Sequence, residues 1–494
     1  MKTLQEKIYG SSLALLTDLY QITMAYAYWK NQMTEQEAVF NMFFRKNPFN
    51  GGYTVACGLA YVIDYLENFR FTQEDIDYLS TLTSPSGHPL FEPGFLDYLA
   101  QLRFTCDIDA IPEGTVVFPH EPLLRVKGPL IQGQLLETPL LNIINFQTLI
   151  ATKAARVCHA AQGEPVLEFG LRRAQGIDGG LAASRAAYIG GCAATSNVLA
   201  GKLFGIPVRG THAHSWVMSF SDEKTAFRAY AQAMPYNCVL LVDTYDTLEG
   251  IKNAIEVGKE LQAQGYQLSG IRLDSGDLAY LSIKARQMLD EAGFTHTNIL
   301  ASNDLDEYIV ASLKQQEACI NVWGIGTKLV TAFDQPALGG VYKMTAIKNK
   351  AGKWDYKLKI SEQAIKISNP GLLQVQRFYD EEGLCMADVI YDQESFNPHQ
   401  QEQVIIIDPL DPTRRKIVDT STPSQLLLQP IFKQGIKCYQ SPDIQTIRAY
   451  AQKQIKTLHP TIRRFTNPHQ YPVGLEKSLY ELKTQLILKL RHLA

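Results

Sequence analysis

The sequence lacks the features that mark several large classes of protein. Its eight cysteines are scattered without a CxxC spacing, which argues against a disulfide framework and a zinc knuckle. No stretch approaches the roughly 20 apolar residues of a membrane-spanning helix. The amino-terminal segment has no apolar run followed by a small-residue cleavage site. We therefore expect a soluble cytoplasmic protein with reduced thiols and no membrane partner.

The charge balance excludes a further set of partners. The chain carries 47 lysines and arginines against 50 aspartates and glutamates, a formal net charge of -3. Such a chain has no overall basic field to hold nucleic acid, and an anionic ligand would need a local cationic pocket. With 494 residues, 46% of them hydrophobic, the chain is long enough for two or three domains.

Hydrophobic periodicity predicts three parts. Residues 1–135 are interpreted as a mixed α/β domain, with helical spacing over residues 13–30 and a helix capped by Thr72. Residues 136–350 are interpreted as the catalytic α/β domain. Residues 351–494 are interpreted as a region that is partly β and then α/β, with a helical stretch at 441–458.

Short apolar runs alternate with helical stretches between about residues 165 and 345. The runs extend from VLEFG at 166–170 to GGVYKMTAI at 339–347 and predict about seven βα units in series. The stretch at 182–204 is interpreted as one helix. So many units predict a parallel sheet closed into an irregular α/β barrel, and a doubly wound open sheet is the alternative.

Polar residues follow the predicted barrel strands in succession. In such a barrel the reactive groups lie at the carboxyl ends of the strands, where the βα loops converge. A single polar residue at such a position is more often a helix N-cap. Helix capping alone does not explain six polar strand ends in series. They lie at residues 168–173, 209–215, 243–246, 272–277, 302–304 and 324–327.

Arginines and glycines in these loops indicate the ligand class. A guanidinium binds a carboxylate or phosphate in a bidentate fork, although a structural ion pair is the alternative for each arginine. Loops late in a barrel often bind phosphate through backbone N–H groups that glycine leaves open. The arginines are Arg172, Arg173 and Arg272, and the glycines are Gly326, Gly339 and Gly340.

Two histidines follow one of the predicted strands. His212 and His214 are two residues apart, so they share a face if the strand continues, and periodicity does not choose between them. A lone histidine near a strand end is more often structural than catalytic. A neutral imidazole can also attack a phosphoryl group and form a labile phosphohistidine.

Ten segments form an ordered pattern from residue 15 to residue 473. They are LLTDLYQ (15–21), FFRKNPF (43–49), EFGLRRAQG (168–176), ATSNVLAGKLFGIPVRGTHAHSW (194–216), VDTYDT (242–247), GIRLDSGDL (270–278), ASND (301–304), GIGTKLVT (324–331), LGGVYKM (338–344) and NPHQYPV (467–473). Together these segments resemble the nicotinate phosphoribosyltransferases. The resemblance implies a type II phosphoribosyltransferase fold, with a mixed amino-terminal domain, an irregular α/β barrel and a carboxyl-terminal α/β extension.

The resemblance also implies an activity and its participants. Nicotinate and 5-phosphoribosyl 1-diphosphate would give nicotinate mononucleotide and diphosphate with Mg²⁺ present, in the route to NAD. ATP would be hydrolysed as a co-substrate through a phosphohistidine. Within the matching motifs, Tyr20, Thr211 and Arg272 are implied as nicotinate contacts, Thr327 as a contact to the phosphoribosyl donor, and His214 as the phosphorylated residue.

The charge that develops during this reaction indicates which further side chains the site needs. Breaking the bond between C1 and the diphosphate builds positive charge on the ribose, so the site needs carboxylates as well as cations. Asp243, Asp274 and Asp277 are the candidates for contacts to the ribose hydroxyls or to Mg²⁺, and the sequence does not assign their roles. Tyr20 is far from the barrel in sequence, so its ring is expected from a second subunit of a homodimer.

Other activities remain as alternatives at this point. Within the same class, a nicotinamide or quinolinate phosphoribosyltransferase would use a related pyridine. A sugar-phosphate isomerase or aldolase would explain the phosphate loops and the carboxylates. A catalytically silent ligand sensor would have no need of a phosphoryl acceptor such as His214.

Overall fold

The computed structural model describes residues 12–493. Contacts within the described chain divide it into two compact units. The first unit comprises the described residues up to Thr148, Ala337–Pro442, and the chain from Lys453 onward; the second comprises Leu149–Pro336 and Asp443–Gln452. The predicted division into three domains, with boundaries after residues 135 and 350, stays a prediction.

Helices and strands are numbered in chain order. Up to residue 160 they are α1 (Leu19–Lys30), β1 (Glu37–Phe43), β2 (Thr54–Val55), α2 (Leu59–Glu67), α3 (Gln73–Ser80), α4 (Pro93–Gln101), β3 (Asp107–Ala110), β4 (Val116–Val117), β5 (Leu124–Pro129), α5 (Leu130–Leu135) and α6 (Glu137–Ala160). From residue 166 to 330 they are β6 (Val166–Glu168), α7 (Ile177–Gly190), β7 (Ala194–Thr195), α8 (Val198–Phe204), α9 (His214–Met218), α10 (Glu223–Ala233), β8 (Cys238–Leu241), α11 (Thr247–Ala263), β9 (Leu268–Leu273), α12 (Leu278–Glu291), β10 (Asn298–Ala301), α13 (Glu307–Gln315), β11 (Val322–Ile325) and α14 (Thr327–Val330). From residue 341 they are β12 (Val341–Lys348), β13 (Trp354–Tyr356), β14 (Leu373–Tyr379), β15 (Cys385–Asp392), β16 (Gln403–Ile407), β17 (Arg415–Asp419), β18 (Ser424–Leu426), β19 (Gln429–Lys433), β20 (Ile436–Lys437), α15 (Ile444–Lys456), α16 (Pro460–Arg463), β21 (Val473–Glu476) and α17 (Lys477–Leu490).

The second unit is built on a parallel sheet. Its six strands lie in the order β7-β6-β11-β10-β9-β8, and every neighbouring pair is parallel. Val208 extends the sheet beyond β7 through a parallel bridge to Thr195. The strands are short apolar runs, and helices follow them because a parallel neighbour needs a crossover connection. The predicted α/β class with an irregular barrel is confirmed.

One predicted barrel helix is interrupted. The stretch 182–204 was expected to form one helix, but α7 ends at Gly190, β7 intervenes and α8 begins at Val198. A Cβ at Gly190 would lie 2.3 Å from the carbonyl oxygen of Ala151, and Gly191 has a φ of +128°. This glycine pair allows close packing and a turn that other residues rarely adopt. The prediction of one continuous helix was wrong.

One predicted barrel strand lies in another sheet. The run at 339–347 contributes β12, which pairs antiparallel with β1 in the seven-stranded sheet β13-β12-β1-β5-β3-β19-β20 of the first unit. Only the four-residue helix α14 lies between β11 and this run. The run is thus an antiparallel strand of the first unit and not a further parallel strand of the second. The prediction of β12 as a barrel strand was therefore wrong.

The rest of the first unit follows the sequence patterns more closely. Thr72 and Asp75 form a reciprocal capping box at the start of α3, as predicted. The region after residue 350 forms the six-stranded sheet β17-β16-β21-β15-β14-β18, in which all pairs except β15 with β21 are antiparallel. The predicted helix at 441–458 is α15. No helix between residues 12 and 493 combines the length and apolar character needed to cross a membrane.

Candidate active site

A cavity opens at the carboxyl ends of the barrel strands. Its volume is about 550 Å³, and the loops after β6, β9, β10 and β11 bound it together with the segment after Val208. Parallel strands place these loops on one edge of the sheet, as the succession of polar strand ends predicted. Eight of the candidate residues line it: Arg172, Arg173, Thr211, His212, Arg272, Asp274, Gly326 and Thr327.

Arg272 on β9 is the buried cation of this cavity. Its Nη1 donates to the Thr211 hydroxyl and, at 3.2 Å, to the carbonyl oxygen of His212. Its side chain is only 15% exposed, yet the Asp274 carboxylate is 3.9 Å away and the buried Nε has no hydrogen-bond partner. Burial lowers the pKa of Arg272, while Asp274 opposes the shift. The guanidinium is thus desolvated and incompletely paired.

His214, the first residue of α9, lies beside two carboxylates. Its Nε2 is 3.7 Å from Asp274 Oδ2 and 3.9 Å from Asp243 Oδ1, and its Nδ1 is 3.2 Å from the Thr244 hydroxyl. The side chain is 39% exposed, so a ligand can reach it. Of the two neighbouring histidines, this one has the accessible imidazole.

Asp243 holds the loop after β9 in place. Its Oδ2 accepts from the backbone N–H of Asp274 at 2.9 Å and from the Ser275 hydroxyl at 2.6 Å. Its Oδ1 is buried without a hydrogen-bond partner and faces His214. One carboxylate therefore positions Asp274 and still leaves an oxygen for a proton or a cation.

His212 is buried and internally bonded. Its Nε2 accepts from the backbone N–H of Leu241 at 3.2 Å, and its Nδ1 lies 3.4 Å from the Ala213 carbonyl oxygen. Burial lowers the pKa of His212 from 6.5 to about 4, so the ring is neutral at physiological pH. A buried ring engaged in this way is poorly placed for phosphoryl transfer.

Asp277 is separate from the cavity lining. It is the N-cap of α12, and its side chain accepts from the backbone N–H of Tyr280 at 3.1 Å. Its predicted contact to the ribose or to Mg²⁺ stays a prediction.

Close packing after β11 explains the glycine in the GIGT segment. A Cβ on Gly326 would lie 3.1 Å from the carbonyl oxygen of Phe169. The next residue, Thr327, lines the cavity, and Lys328 binds Asp306 at 2.7 Å. Beside it, after the neighbouring strand β6, Arg172 lies in the short helical turn Leu171–Arg173. Cationic and hydroxyl groups thus face one space from two loops.

The predicted polar segments contain three further residues of the cavity wall that the sequence did not single out as site residues. Phe169 brings an aromatic ring to the cavity, and Ser302 donates a short hydrogen bond to Asp274. Asn303 has a φ of +124°, a strained backbone for a residue with a side chain. The polar segment 302–304 was a visible signal for the last two. Phe169 gave none, because an aromatic residue after an apolar run is typical of the strand itself.

Three predicted site residues belong to the first unit. Tyr20 lies in the first turn of α1, and its ring is half-exposed. Gly339 has a φ of +73°, and a Cβ on Gly340 would lie 2.1 Å from Asn145 Oδ1, so both glycines meet local backbone needs. Their predicted roles toward the substrates stay predictions.

The carboxylates were tested as a magnesium site. In residues 12–493, no group of three or more His, Cys, Asp or Glu side chains is arranged to hold a metal ion. Mg²⁺, however, is commonly held by one or two carboxylates, with substrate phosphates and water completing its shell. The unpaired buried Oδ1 of Asp243 and the nearby Asp274 fit that arrangement.

Three family descriptions match consecutive parts of the chain. The nicotinate phosphoribosyltransferase (NAPRTase) N-terminal domain matches residues 15–145, the nicotinate phosphoribosyltransferase (NAPRTase) family matches residues 166–368, and the nicotinate phosphoribosyltransferase C-terminal domain matches residues 373–483. Together they span nearly the whole chain.

Individual proteins agree with these matches over the same span. The chain is 47% identical to the nicotinate phosphoribosyltransferase of Bacillus subtilis over 482 residues, which is 96% of this chain and 95% of that protein. It is 38% identical to the nicotinate phosphoribosyltransferase of Caenorhabditis elegans, over 96% and 93% of the two chains. The crystal structure of human nicotinic acid phosphoribosyltransferase superposes with a TM-score of 0.83 at 34% identity, covering 95% of this chain and 99% of that one. The chain therefore belongs to the nicotinate phosphoribosyltransferase family of enzymes.

Proposed function

We propose that this protein transfers the phosphoribosyl group of 5-phosphoribosyl 1-diphosphate to nicotinate, in the cytoplasmic synthesis of NAD. The observation that carries the proposal is the state of Arg272. Its guanidinium is desolvated, its Nε lacks a partner, and the nearest carboxylate is 3.9 Å away. A ligand carboxylate would complete its hydrogen bonds, because burying an unpaired cation is costly.

The pyridine ring needs an aromatic face to stack on, in addition to the Arg272 guanidinium that would bind its carboxylate. Phe169 lies on the wall of the same cavity as Thr211 and Arg272, and an aromatic face stacks on a flat heterocycle. The second face is assigned to Tyr20 of a partner subunit in a homodimer. Held in this way, the ring would present its nitrogen to C1 of the ribose.

The phosphoribosyl donor is assigned to the loops after β6 and β11. Arg172, Gly326 and Thr327 supply a guanidinium, a closely packed backbone and a hydroxyl, which suit phosphate oxygens. Asp274 is on the same cavity wall and suits the ribose hydroxyls. Gly339 and Gly340 remain candidates for further backbone contacts to the donor.

The chemical step is a substitution at C1. The nicotinate nitrogen forms a bond to C1 while the C1–oxygen bond breaks, and the electron pair leaves with diphosphate. Asp274 and Asp243 would hold Mg²⁺, which when bound neutralises charge on the diphosphate. Arg272 and Thr211 fix the acceptor, so the reacting atoms meet in one orientation.

His214 is assigned to ATP coupling. Its imidazole would attack the terminal phosphorus of ATP, ADP would leave, and water would later hydrolyse the phosphohistidine. The support is its exposure and the two carboxylates 3.7 and 3.9 Å from Nε2, which stabilise the positive charge that the ring gains as one of its nitrogens bonds to phosphorus.

A direct assay tests the proposal. Purified protein is given 5-phosphoribosyl 1-diphosphate and Mg²⁺ with nicotinate, nicotinamide or quinolinate, with and without ATP, and the mononucleotide and diphosphate are measured. We expect product from nicotinate alone among the three, and more of it with ATP. Product from the amide or the diacid would instead indicate the related transferases. Absence of diphosphate release with all three would favour sugar-phosphate chemistry or a ligand sensor.

The shared site is tested by mixing subunits. Tyr20→Ala and Arg272→Ala are each expected to have little activity alone when the nicotinate concentration is far below their raised KM. In a homodimer with Tyr20 donated across subunits, mixed dimers carry one intact site, so about a quarter of the activity should return. Tyr20 acting within its own chain would leave the mixture with little activity.

A further inference from the structure

The barrel wall is completed at one place by a side chain. The ordered strands end at β7 on one side and at β8 on the other, and Val208 adds a bridge beyond β7. The outer edge of β8 is met by His212, whose Nε2 accepts from the backbone N–H of Leu241 at 3.2 Å. A histidine ring therefore occupies a position where a neighbouring strand would otherwise bond the sheet edge.

The segment that carries this ring has few other attachments. Arg209 N donates to the Thr195 carbonyl, and the next main-chain bond along the described chain runs from Trp216 N to Ala213 O. A Cβ on Gly210 would meet nothing within 4 Å. The imidazole of His212, which also packs against the Tyr230 ring with centroids 4.7 Å apart, attaches residues 210–213 to β8, and the Arg272 guanidinium attaches them to β9.

The same segment contains Thr211 and contacts Arg272, the two residues proposed to bind the nicotinate carboxylate. The carbonyl oxygen of His212 accepts from Arg272 Nη1 and from the Thr211 hydroxyl, each at 3.2 Å. Arg272 Nη1 also binds that hydroxyl. One peptide unit thus joins the pinned ring, the threonine and the guanidinium in a single network. A shift of the His212 ring would therefore move the Thr211 and Arg272 atoms that are proposed to bind the carboxylate.

We propose that His212 is a positioning residue, whose imidazole pins residues 210–213 to β8 and holds Thr211 and Arg272 in the geometry that receives the carboxylate of the acceptor. This inference rests on the proposed function. It gives His212 a role different from that of His214, although the two histidines are only two residues apart. The role requires an acceptor at the position of Nε2, because the partner is a backbone N–H.

Two substitutions separate the hydrogen bond from the packing. His212→Gln keeps an acceptor near the position of Nε2, whereas His212→Phe keeps a ring of similar size and leaves the Leu241 N–H unpaired. Phe227→Leu is the control, because Phe227 packs on the same ring, with centroids 6.2 Å apart, and makes no hydrogen bond to it.

The expected results differ for the two substrates. In His212→Phe, KM for nicotinate should rise about tenfold or more, because a buried N–H has lost its partner and Thr211 and Arg272 are displaced. KM for the phosphoribosyl donor and kcat at saturating nicotinate should stay within about twofold. His212→Gln and Phe227→Leu should keep the nicotinate KM near that of the unaltered protein. Equal losses for both substrates, or failure of Gln to restore the KM, would overturn the inference.

A second readout is independent of turnover. Amide hydrogen exchange at Leu241 should be slow in the unaltered protein and in His212→Gln, and faster in His212→Phe. Unchanged protection in His212→Phe would overturn the inference even if the enzymatic assay failed for another reason. Loss of ATP stimulation in His212→Gln would also overturn it, since His212 would then be the phosphoryl acceptor. Absence of nicotinate transfer by the unaltered protein bears on the proposed function alone.

Discussion

Arg272 shows how one side chain can define a ligand. A guanidinium removed from water needs acceptors for its donors, and this one has a hydroxyl and a carbonyl, with the Asp274 carboxylate 3.9 Å from Nη2. Neighbouring negative charge keeps it cationic without filling its hydrogen bonds. A guanidinium fork of this kind suits a ligand carboxylate or phosphate.

Replacing this arginine should affect one substrate selectively. In Arg272→Ala, KM for nicotinate is expected to rise by about 10- to 100-fold, the loss typical of hydrogen bonds to a charged group. Arg272→Lys keeps the charge without the fork and should recover only part of it. Steady-state kinetics with each substrate varied in turn measure both. Equal losses for nicotinate and for the donor would contradict the binding of the carboxylate by Arg272.

His214 makes a separate prediction about energy coupling. His214→Ala removes the proposed phosphoryl acceptor, so ATP should no longer stimulate transfer, and slow transfer without ATP should persist. The measurement compares product formed with ADP released. His212→Gln is the matched control, since it alters the neighbouring histidine and should retain coupling. Full ATP stimulation in His214→Ala would refute the assignment.

At the residue scale, the sequence predicted site residues wherever a polar residue interrupts or follows an apolar strand. Arg272 and Thr211 stand out because polar residues interrupt or follow apolar strands, and both line the cavity. Phe169 could not be found, because its ring is indistinguishable in sequence from a strand residue. The difference in burial between His212 and His214 could not be predicted, because it arises only in the tertiary structure.

At the scale of single elements, helix capping offers a test of Asp277. The structure gives its side chain the capping bond of α12, and it does not line the cavity. Asp277→Ala should cost about 0.5–2 kcal/mol of stability, measured by denaturant unfolding. Asp277→Ser keeps a capping oxygen and should restore stability, with kcat retained in both variants. A large loss of kcat in Asp277→Ser would support the predicted contact to the ribose or Mg²⁺.

The misplaced elements have physical causes. The broken helix at 182–204 was signalled by Gly190 and Gly191, whose tolerance of a close contact and of a positive φ outweighs the helix propensity of the surrounding alanines. The apolar pattern of β12 is compatible with any sheet, so periodicity alone could not choose its partner. Its pairing with β1 joins residues about 300 positions apart.

At the scale of the whole molecule, two buried histidines predict acid sensitivity. Burial lowers the pKa of His120 and of His212 from 6.5 to about 4. Between these values the unfolded chain binds protons that the folded protein does not, so the free energy of unfolding should fall as pH drops from about 6.5 to about 4. Urea unfolding across this range measures the slope. A variant with both residues changed to glutamine should show a shallower slope, and an unchanged slope would contradict the prediction.

The pairing of β1 with β12 also sets an order of events during synthesis. β1 and β5 are made early, whereas β12 and β19 of the same sheet follow the segment Leu149–Pro336 of the second unit in the chain. At 5–20 residues per second, the ribosome takes roughly 10 to 40 s between the end of the first segment and the arrival of β12. During that interval the nascent sheet has open edges that can pair with other chains. Newly made copies of this protein should therefore depend on chaperones for protection until translation has passed β19.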